Sequence, residues 1–136
     1  MGIRSSWKKD VQLNSNFTHK FFIGWTWNET LRKTLKEESQ KYGDIIFTNI
    51  VDDYSNLTLK MNSIFQWQQN FCQNVDFILR ADEDTVLDIS RFEYWMNNEI
   101  KDLIENIGDE MILGHLIENS PTVRQSCSKW YKFFLF

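Results

Sequence analysis

The sequence has little of what marks a membrane-spanning or nucleic-acid-binding chain. None of its 136 residues lies in an apolar run approaching 18 residues, and its start lacks the apolar stretch of a signal peptide, so no transmembrane segment or signal anchor is predicted within it. A formal net charge of −4 without any basic run gives no support to a nucleic-acid partner. Proline occurs once, and repeats, low-complexity tracts and linkers are missing, so we expect one domain over residues 1–136.

Cysteine is also scarce, and its two residues leave the redox compartment open. Cys72 and Cys127 are able to pair in an oxidising compartment, or to stand as one buried and one loop thiol; we favour unpaired thiols. Three glycosylation sequons, at Asn16, Asn28 and Asn56, argue against a cytosolic home. Asn56 has a second interpretation as a helix cap, which carries no statement on topology.

Aromatic residues are what the chain has in quantity. They form 15% of it, with 6 Trp and 11 Phe, while 42% hydrophobic and 25% charged residues are ordinary for a globular domain. This composition fits an aromatic-rich core, and it also fits a piece of a larger domain. The apolar end at residues 133–136 and the abrupt start favour the second interpretation, so both ends are expected to be truncated.

An apolar run followed by three acids is the first indication of chemistry. Val75–Leu79 has the composition of a buried strand, and Asp82, Glu83 and Asp84 follow it closely. Open α/β sheets bind ligands at the carboxyl ends of their strands. Carboxylates suit hard divalent ions, and an ion held by only one or two of them keeps positions for substrate phosphates. The pattern indicates a metal–diphosphate site, with a solvated acidic loop or a helix cap as the alternative.

Strand and helix patterns alternate along the chain. Strands are predicted at residues 19–25, 44–48, 75–79, 111–117 and 130–134. Asn28 and Gly43 are the predicted cap and stop of a first helix, and Asp88 or Ser90 caps a third. The second helix is expected to bury a stripe of Leu57, Met61, Ile64, Phe65 and Cys72. This alternation predicts parallel pairing and a three-layer α/β sandwich.

Several stretches resemble the β-1,3-glycosyltransferases, the family of the β-1,3-galactosyl- and N-acetylglucosaminyltransferases. Residues 3–7 are similar to its I-R-x-T-W motif, with Ser6 in place of Thr. Residues 21–24 resemble F-x-x-G, and residues 38–46 resemble E-x-x-x-Y-x-D-I-I. The most specific match is residues 53–60, which are close to D-x-Y-x-N-L-T-L-K.

The resemblance continues to the end of the chain, in order and at sensible spacing. The acidic triplet stands where the family has D-D-D. The remaining matches, to W-x-x-x-x-C, G, P-x-R and K-W-Y elements, are Trp67, Cys72, Gly114, Pro121, Arg124 and residues 129–131. The resemblance implies a GT-A fold, an α/β/α sandwich that binds a nucleotide sugar. It implies a UDP-sugar donor, Mn²⁺ (or Mg²⁺) as cofactor, inverting transfer to a glycan acceptor on protein or lipid, and the lumenal side of the Golgi membrane.

The same resemblance assigns roles to the acids. Asp84 is expected to coordinate the metal, and Asp82 to face the ribose or a metal-bound water. Glu83 is a candidate substrate-binding residue in the same triplet. Its side chain is one methylene longer than the family's Asp and is expected to point elsewhere than those of Asp82 and Asp84.

Three other candidate substrate ligands each have a structural alternative. Arg4 supports the donor phosphates or the local fold. Lys60 reaches a phosphate or is an exposed helix lysine. Asp53 contacts the nucleotide or caps the second helix.

Two hypotheses on function remain. The first is a piece of a hexosyltransferase of protein glycosylation, inactive by itself, because no residue of this chain can be nominated as the general base of an inverting transfer. The second is a non-catalytic paralogue that binds metal or nucleotide or pairs with a full-length transferase. A third interpretation, a Mg²⁺-dependent α/β phosphatase, lacks the Ser/Thr and Lys residues that its chemistry needs after the triplet.

Overall fold

The structure, a computed structural model, describes residues 2–13, 16–108 and 110–114. Over this part of the chain it mixes helices and strands, which agrees with the predicted α/β class. The chain divides into two units, residues 1–95 and 96–136, and each is described by itself. Of the helices in the described ranges, none has both the length and the apolar character to cross a bilayer.

Two parallel strands form the centre of the first unit. β1 spans Phe21–Trp25 and β2 spans Ile45–Val51. Their register begins with Phe21 opposite Ile45 and shifts once near the end of β1. Both strands are rich in β-branched and aromatic residues, which favour a pleated, half-buried surface. Parallel pairing, predicted from the strand–helix alternation, is confirmed for these two strands.

The helix that connects the strands begins and ends where local signals place it. α2 spans Glu29–Tyr42, and the Asn28 side chain accepts a hydrogen bond from the Leu31 backbone N–H at 3.0 Å. Gly43 ends the helix with a left-handed φ of 65°, which costs glycine nothing because it has no Cβ. Both predictions for this helix are confirmed.

The next helix begins through a short turn with its own cap. α3 spans Leu57–Phe71 and follows a 3-10 turn at Tyr54–Asn56. The Asp53 carboxylate caps that turn, accepting the backbone N–H of Ser55 at 2.8 Å and its hydroxyl at 2.5 Å. Asn56 makes no side-chain cap, and its amide donates instead to a carbonyl at the end of β2 at 3.0 Å. The cap interpretation is right for Asp53, on the turn that leads into α3, and wrong for Asn56.

The side chains of α3 that were predicted to form a buried stripe are less buried than expected. Leu57 is 36% exposed and Phe65 45% exposed, and no residue of the helix is fully buried. Trp67 makes the main aromatic contact, edge-on to Phe22 of β1 with 5.6 Å between ring centroids. The two-stranded sheet offers α3 too narrow a surface to bury the whole stripe.

The segment predicted as the third strand is not a strand. Residues 75–79 form no ladder, and Phe77, Ile78 and Leu79 are 41%, 44% and 48% exposed. A strand requires hydrogen bonds to a neighbour, and within the described ranges only β1 and β2 pair. Apolar composition supported the prediction, and the lack of a partner overturns it.

The amino-terminal segment packs on the helix that follows the acidic triplet. A 3-10 turn at Ile3–Ser5 leads into α1, Lys8–Leu13, which contacts α4, Ile89–Trp95. Val11 of α1 and Ile89 of α4 are buried. The side chain of Asp88 caps α4 by accepting a backbone N–H at 2.9 Å, which confirms one of its two predicted caps.

The second unit continues the predicted third helix in a different form. A π-helical segment at Met96–Ile100 precedes α5, Lys101–Ile107. Residues 110–114 contain no strand, so the start of the strand predicted at 111–117 is wrong, and its remainder lies outside the described residues. Other predictions outside them concern residues 130–134, Pro121, Arg124, Cys127 and residues 129–131. Cys72 is half-buried, and its pairing with Cys127 stays untested.

Candidate functional site

Two polar clusters stand at opposite ends of the parallel strands. At the amino end, Asp44 lies directly before β2 and is 4% exposed. Arg4 donates to both of its carboxylate oxygens, Nε to Oδ2 at 2.9 Å and Nη2 to Oδ1 at 2.8 Å. Lys8, also 4% exposed, pairs with Oδ2. Two cations therefore hold one buried carboxylate.

Arg4 is further enclosed by residues of the same sequence motifs. Its guanidinium pairs with Glu38 and lies over the rings of Phe21 and Tyr42, 4.9 Å and 4.3 Å from their centroids. Arginine suits such a site because its planar group stacks on rings while its edge pairs with carboxylates. These contacts place Arg4 in the local fold, which was one of its two predicted roles. A role in binding donor phosphates stays a prediction.

Arg4, Lys8, His19 and Asp44 form the amino-end cluster. Their surroundings lower the pKa values of Asp44 and His19. Hydrogen bonding from Arg4 holds the pKa of Asp44 well below its usual range, although burial acts in the opposite direction. Burial lowers the pKa of His19, and the charge of Lys8 adds to that effect. The His19 Nε2 lies 3.6 Å from Asp44 Oδ2, too far for a hydrogen bond, and has no hydrogen-bond partner among the residues that the structure describes.

At the carboxyl end, Asp52 joins three elements. Its Oδ2 accepts the backbone N–H of Gly24 in β1 at 2.7 Å, and its Oδ1 pairs with Lys60 of α3. A Cβ on Gly24 would lie 2.6 Å from the Asp52 carboxyl carbon and closer still to the carbonyl oxygen of Ile50. Glycine is therefore needed for this approach of β1 to the residues that end β2.

Sequence reasoning missed Asp52 and selected its neighbour. Asp53 is exposed and caps its turn, and the Ser55 hydroxyl lowers its pKa. The motif spacing D-x-Y, counted back from Tyr54, falls on Asp52 rather than Asp53, so the signal was present in the sequence. Lys60 is neither free nor simply exposed, since its ammonium is held by Asp52 at the edge where parallel sheets bind ligands.

A cavity of about 260 Å³ opens at this carboxyl edge. Its walls are residues 23–27 of β1 and the following loop, Leu31 and Leu35 of α2, and Val51 and Asp52 at the end of β2. The volume approaches the lower end of small-molecule sites, which are mostly apolar with a few placed polar groups. The aromatic residues of this wall are Trp25, which ends β1, and Trp27 in the loop after it, and neither was marked as a site residue in the sequence.

The acidic triplet, residues 82–84, is an exposed turn. The Asp82 carboxylate is 68% exposed and pairs with Arg80 at 3.0 Å. The turn is closed by a hydrogen bond from the Thr85 N–H to the Asp82 carbonyl at 3.1 Å, and Trp7 Nε1 donates to the Thr85 carbonyl at 3.0 Å. The turn that holds the triplet is thus anchored to the amino-terminal segment, and its three acids are exposed, with Asp82 paired to Arg80.

The donor chemistry of the triplet suits a hard divalent ion. Over residues 2–13, 16–108 and 110–114, no three His, Cys, Asp or Glu side chains gather closely enough to enclose a metal. An ion completed by substrate phosphates needs only one or two protein carboxylates, and Asp82 and Asp84, both exposed, are the candidates for these. The residues fit an ion of that open kind and do not fit a closed protein cage.

The three sequon asparagines use their side chains differently. Asn16 is exposed and its amide donates to Glu93 at 3.1 Å. Asn28 uses its oxygen to cap α2, and Asn56 uses its amide on a backbone carbonyl. Glycosylation at each of them stays a prediction.

Comparison with known proteins gives consistent matches. The galactosyltransferase family model matches residues 1–134. The chain is 32% identical to human lactosylceramide 1,3-N-acetyl-beta-D-glucosaminyltransferase, over 96% of this chain and 35% of that protein. It is 31% identical to beta-1,3-galactosyltransferase 5 of Pan paniscus, over 96% of this chain and 42% of that protein. It is 30% identical to human N-acetyllactosaminide beta-1,3-N-acetylglucosaminyltransferase 3, over 74% of this chain and 26% of that protein. The chain thus spans less than half the length of these relatives, and no solved structure matches it.

Proposed function

The chain belongs to the galactosyltransferase family, and on that premise we propose that it supplies the donor-binding part of a hexosyltransferase. The enzyme would move a hexose from a UDP-sugar, with inversion, to a hydroxyl of a glycan acceptor on protein or lipid. The names of the relatives support transfer of galactose or N-acetylglucosamine in β-1,3 linkage. The parallel β1–α2–β2 unit supports a sandwich of the GT-A type.

The observation that carries the proposal is the arrangement at the carboxyl edge of the sheet. Asp52 holds Gly24 and Lys60 beside a cavity, at the edge where open α/β sheets bind nucleotides. Lys60 is held with its positive charge at this edge, so it is suited to a diphosphate. Asp53 lies next in the chain and is exposed to solvent.

The acidic triplet would hold the metal. Asp84 and Asp82 would be the ligands of Mn²⁺ or Mg²⁺, with Glu83 beside them. When bound, such an ion stabilises the negative charge that develops on a departing diphosphate. Arg4 supports this region indirectly, because it fixes the amino-terminal segment whose Trp7 anchors the turn after the triplet.

Location and modification follow from the same premise. We propose the lumenal side of the Golgi membrane, where an enzyme of protein glycosylation meets its acceptors. The sequons at Asn16, Asn28 and Asn56 support a lumenal position.

A second candidate is a chain that binds metal and nucleotide without turnover. An inverting transfer needs a base for the acceptor hydroxyl in addition to the metal ligands. No residue of the sequence was nominated for that base, and this is the ground on which the second candidate is kept.

Calorimetric titration of UDP with Mn²⁺ tests the donor site without requiring turnover. We expect binding that depends on Mn²⁺ and becomes at least about tenfold weaker in Asp84→Asn, the loss of roughly one charge-assisted contact. Asp102→Asn, which changes an exposed residue of α5, is the matched control and should bind UDP as the parent does. Equal UDP binding in Asp84→Asn, or with the metal chelated, would show the proposed donor site to be wrong.

A transfer assay separates the two candidates. Radiolabelled sugar transferred by the chain above an Asp84→Ala background would establish the enzyme. UDP and Mn²⁺ binding with transfer at background would establish the second candidate.

A further inference from the structure

The side of β2 that faces away from β1 is an open sheet edge. Within the described ranges β1 and β2 pair only with each other, so no strand lies on that side of β2. The 7 residues of β2, Ile45–Val51, include no charged residue and no proline. Edge strands usually carry such residues, because their unpaired N–H and C=O groups otherwise form hydrogen bonds with another chain. This β2 edge, the outward backbone of residues 45–51, lacks that protection.

The hydrogen bonds of the ladder show which backbone groups of β2 face outwards. The Phe21 N–H donates to the Asp44 carbonyl at 2.8 Å, and Phe21 lies opposite Ile45 in the parallel register. Alternate residues of a strand turn their N–H and C=O groups to the same neighbour. Residues 44, 46 and 48 therefore face β1, and residues 45, 47 and 49 face away from it. The described residues supply no hydrogen bond to the outward groups of residues 45, 47 and 49.

The end of β2 keeps the same alternation. Between Ile23 and Trp25 of β1, the partner on β2 advances from Phe47 to Val51, which preserves the odd-numbered phase. Val51 therefore faces outwards as well. Its carbonyl accepts the side-chain amide of Asn56 at 3.0 Å, a contact from the turn that follows β2 rather than from β1. The outward face of the backbone is thus fixed along the whole strand.

The sequence of β2 is complementary to itself when two copies run antiparallel. With Thr48 opposite Thr48, the other pairs are Ile45–Val51, Ile46–Ile50 and Phe47–Asn49. Outward residues then meet outward residues, so the pairs 45/51 and 47/49 exchange both of their N–H···O=C bonds. The pairs 46/50 and 48/48 are the closer, non-hydrogen-bonded kind, in which isoleucine meets isoleucine and threonine meets threonine. A slip of one residue would oppose outward groups to inward groups, and a slip of two would shorten the paired stretch.

The charges next to the β2 edge do not oppose this pairing. In the same register Asp44 lies opposite Asp52 of the copy, and like charges directly opposite each other are unfavourable. Asp44 is already paired with Arg4 and Lys8 of its own chain. Asp52 is likewise paired with Lys60. The ends of the two strands therefore bring together ion pairs rather than bare carboxylates.

We propose that the β2 edge binds the β2 edge of a second copy of this chain, in an antiparallel dimer with two-fold symmetry. The two sheets become one, in the order β1–β2–β2–β1, through the same surface of both copies. Phe47, which is 50% exposed, gains the Phe47 of the copy as a diagonal neighbour within reach of an aromatic ring. The carboxyl ends of the two β2 strands point in opposite directions. The pairing goes beyond the proposed function, since it requires neither metal nor donor.

Sedimentation equilibrium in EDTA, over a series of chain concentrations, measures the association. We expect a reversible monomer–dimer equilibrium for the parent. Asn49→Lys places a charge at an exposed position of the β2 edge and should weaken the dimer at least about tenfold. Asn62→Lys adds the same charge at an exposed position of α3, so it is the matched control and should dimerise as the parent does. A parent that stays monomeric, or equal dimerisation of Asn49→Lys and Asn62→Lys, would overturn the proposal.

Disulfide trapping tests the register. In Thr48→Cys the two new thiols lie directly opposite each other in a non-hydrogen-bonded pair, with Cα atoms about 4.5 Å apart, which a disulfide spans. In Asn49→Cys, the matched control, the two new thiols are diagonal neighbours about 7–8 Å apart, which a disulfide does not span without movement of the backbone. After mild oxidation, mass spectrometry of the digested dimer should find the 48–48 disulfide and no 49–49 disulfide. Equal yields of the two disulfides, or no 48–48 disulfide, would contradict this pairing. Because both measurements are made without metal or nucleotide, their outcomes are independent of the donor-site test.

Discussion

Arg4 and Asp44 lie 40 residues apart and form a two-pronged ion pair, with Nε 2.9 Å from Oδ2 and Nη2 2.8 Å from Oδ1. The guanidinium presents a planar pair of donors that matches the two carboxylate oxygens. Lys8 pairs with the same carboxylate, and both Lys8 and Asp44 are buried. The pair ties the amino-terminal segment to the start of β2.

Asp44→Asn should be strongly destabilising. It leaves the buried Lys8 ammonium and the Arg4 guanidinium without their carboxylate, and breaking a buried pair from one side costs about 3–5 kcal/mol. Urea denaturation measures the free energy of unfolding. Asp82→Asn, which breaks the exposed pair with Arg80, is the control and should cost less than about 1 kcal/mol. A similar loss of unfolding free energy in both variants would mean that burial does not determine how much the amino-end cluster stabilises the fold.

Gly24→Ala should disrupt the carboxyl edge. The new methyl group would lie 2.6 Å from the Asp52 carboxyl carbon and closer to a backbone carbonyl, which cannot easily move. We expect a loss of about 1–3 kcal/mol in the free energy of unfolding, the usual cost of overpacking. Gly2→Ala meets nothing within 4 Å and should change stability by no more than about 0.5 kcal/mol. A Gly24→Ala chain as stable as its parent would contradict the close approach of Asp52 to β1.

His19 should make stability depend on pH near neutrality. Its pKa in the folded chain is below the ordinary value of 6.5, because burial disfavours the charged ring. Below about pH 6.5 the unfolded chain therefore binds a proton that the folded chain does not, so stability falls as pH is lowered. The contribution of Asp44, whose pKa is also lowered, is lost only below about pH 4.

His19→Gln isolates this effect. Between about pH 7.5 and pH 5.5, the melting temperature of the parent should fall more than that of His19→Gln. Since the sequence has 2 histidines, the difference between the two chains assigns the slope to His19. Parallel pH profiles would show that His19 is not protected from protonation in the folded state.

Asn28 caps α2 and is also a predicted glycosylation site, and two substitutions separate these roles. Asn28→Ala removes the α2 cap and should cost about 1 kcal/mol, whereas Asn28→Ser keeps a capping oxygen and should cost almost nothing. Both variants remove the predicted sequon, so a glycan attached to Asn28 would be missing from both, which mass spectrometry of chain expressed in glycosylating cells measures. Thermal unfolding of chain produced without glycosylation measures the capping term alone. Equal stability of the two variants would exclude the lost cap as the cause of any destabilisation in Asn28→Ala.

Local signals predicted the helices well. Asn28 and Gly43 bound α2 because a cap and a left-handed turn act within a few residues of themselves. Asp88 caps α4 for the same reason. The candidate site was predicted less completely. The triplet was predicted to be a metal–diphosphate site at the end of a strand, with a solvated acidic loop as the alternative; residues 75–79 form no strand, and the triplet is an exposed turn. Asp52 was passed over for Asp53, since its partners Gly24 and Lys60 belong to other elements.

The sequence by itself determined the family, the cap and stop of α2, the cap of α4, and the hard-oxygen chemistry of the acidic triplet, because each depends on residue identity and short spacing. Tertiary structure alone decided that Asp44 pairs with Arg4 and Lys8, that the rings of Trp25 and Trp27 stand edge-on to each other, and that residues 75–79 do not pair as a strand. Ion pairs, ring contacts and strand hydrogen bonds each need a partner distant in the chain. Apolar composition alone does not determine whether that partner lies within contact distance.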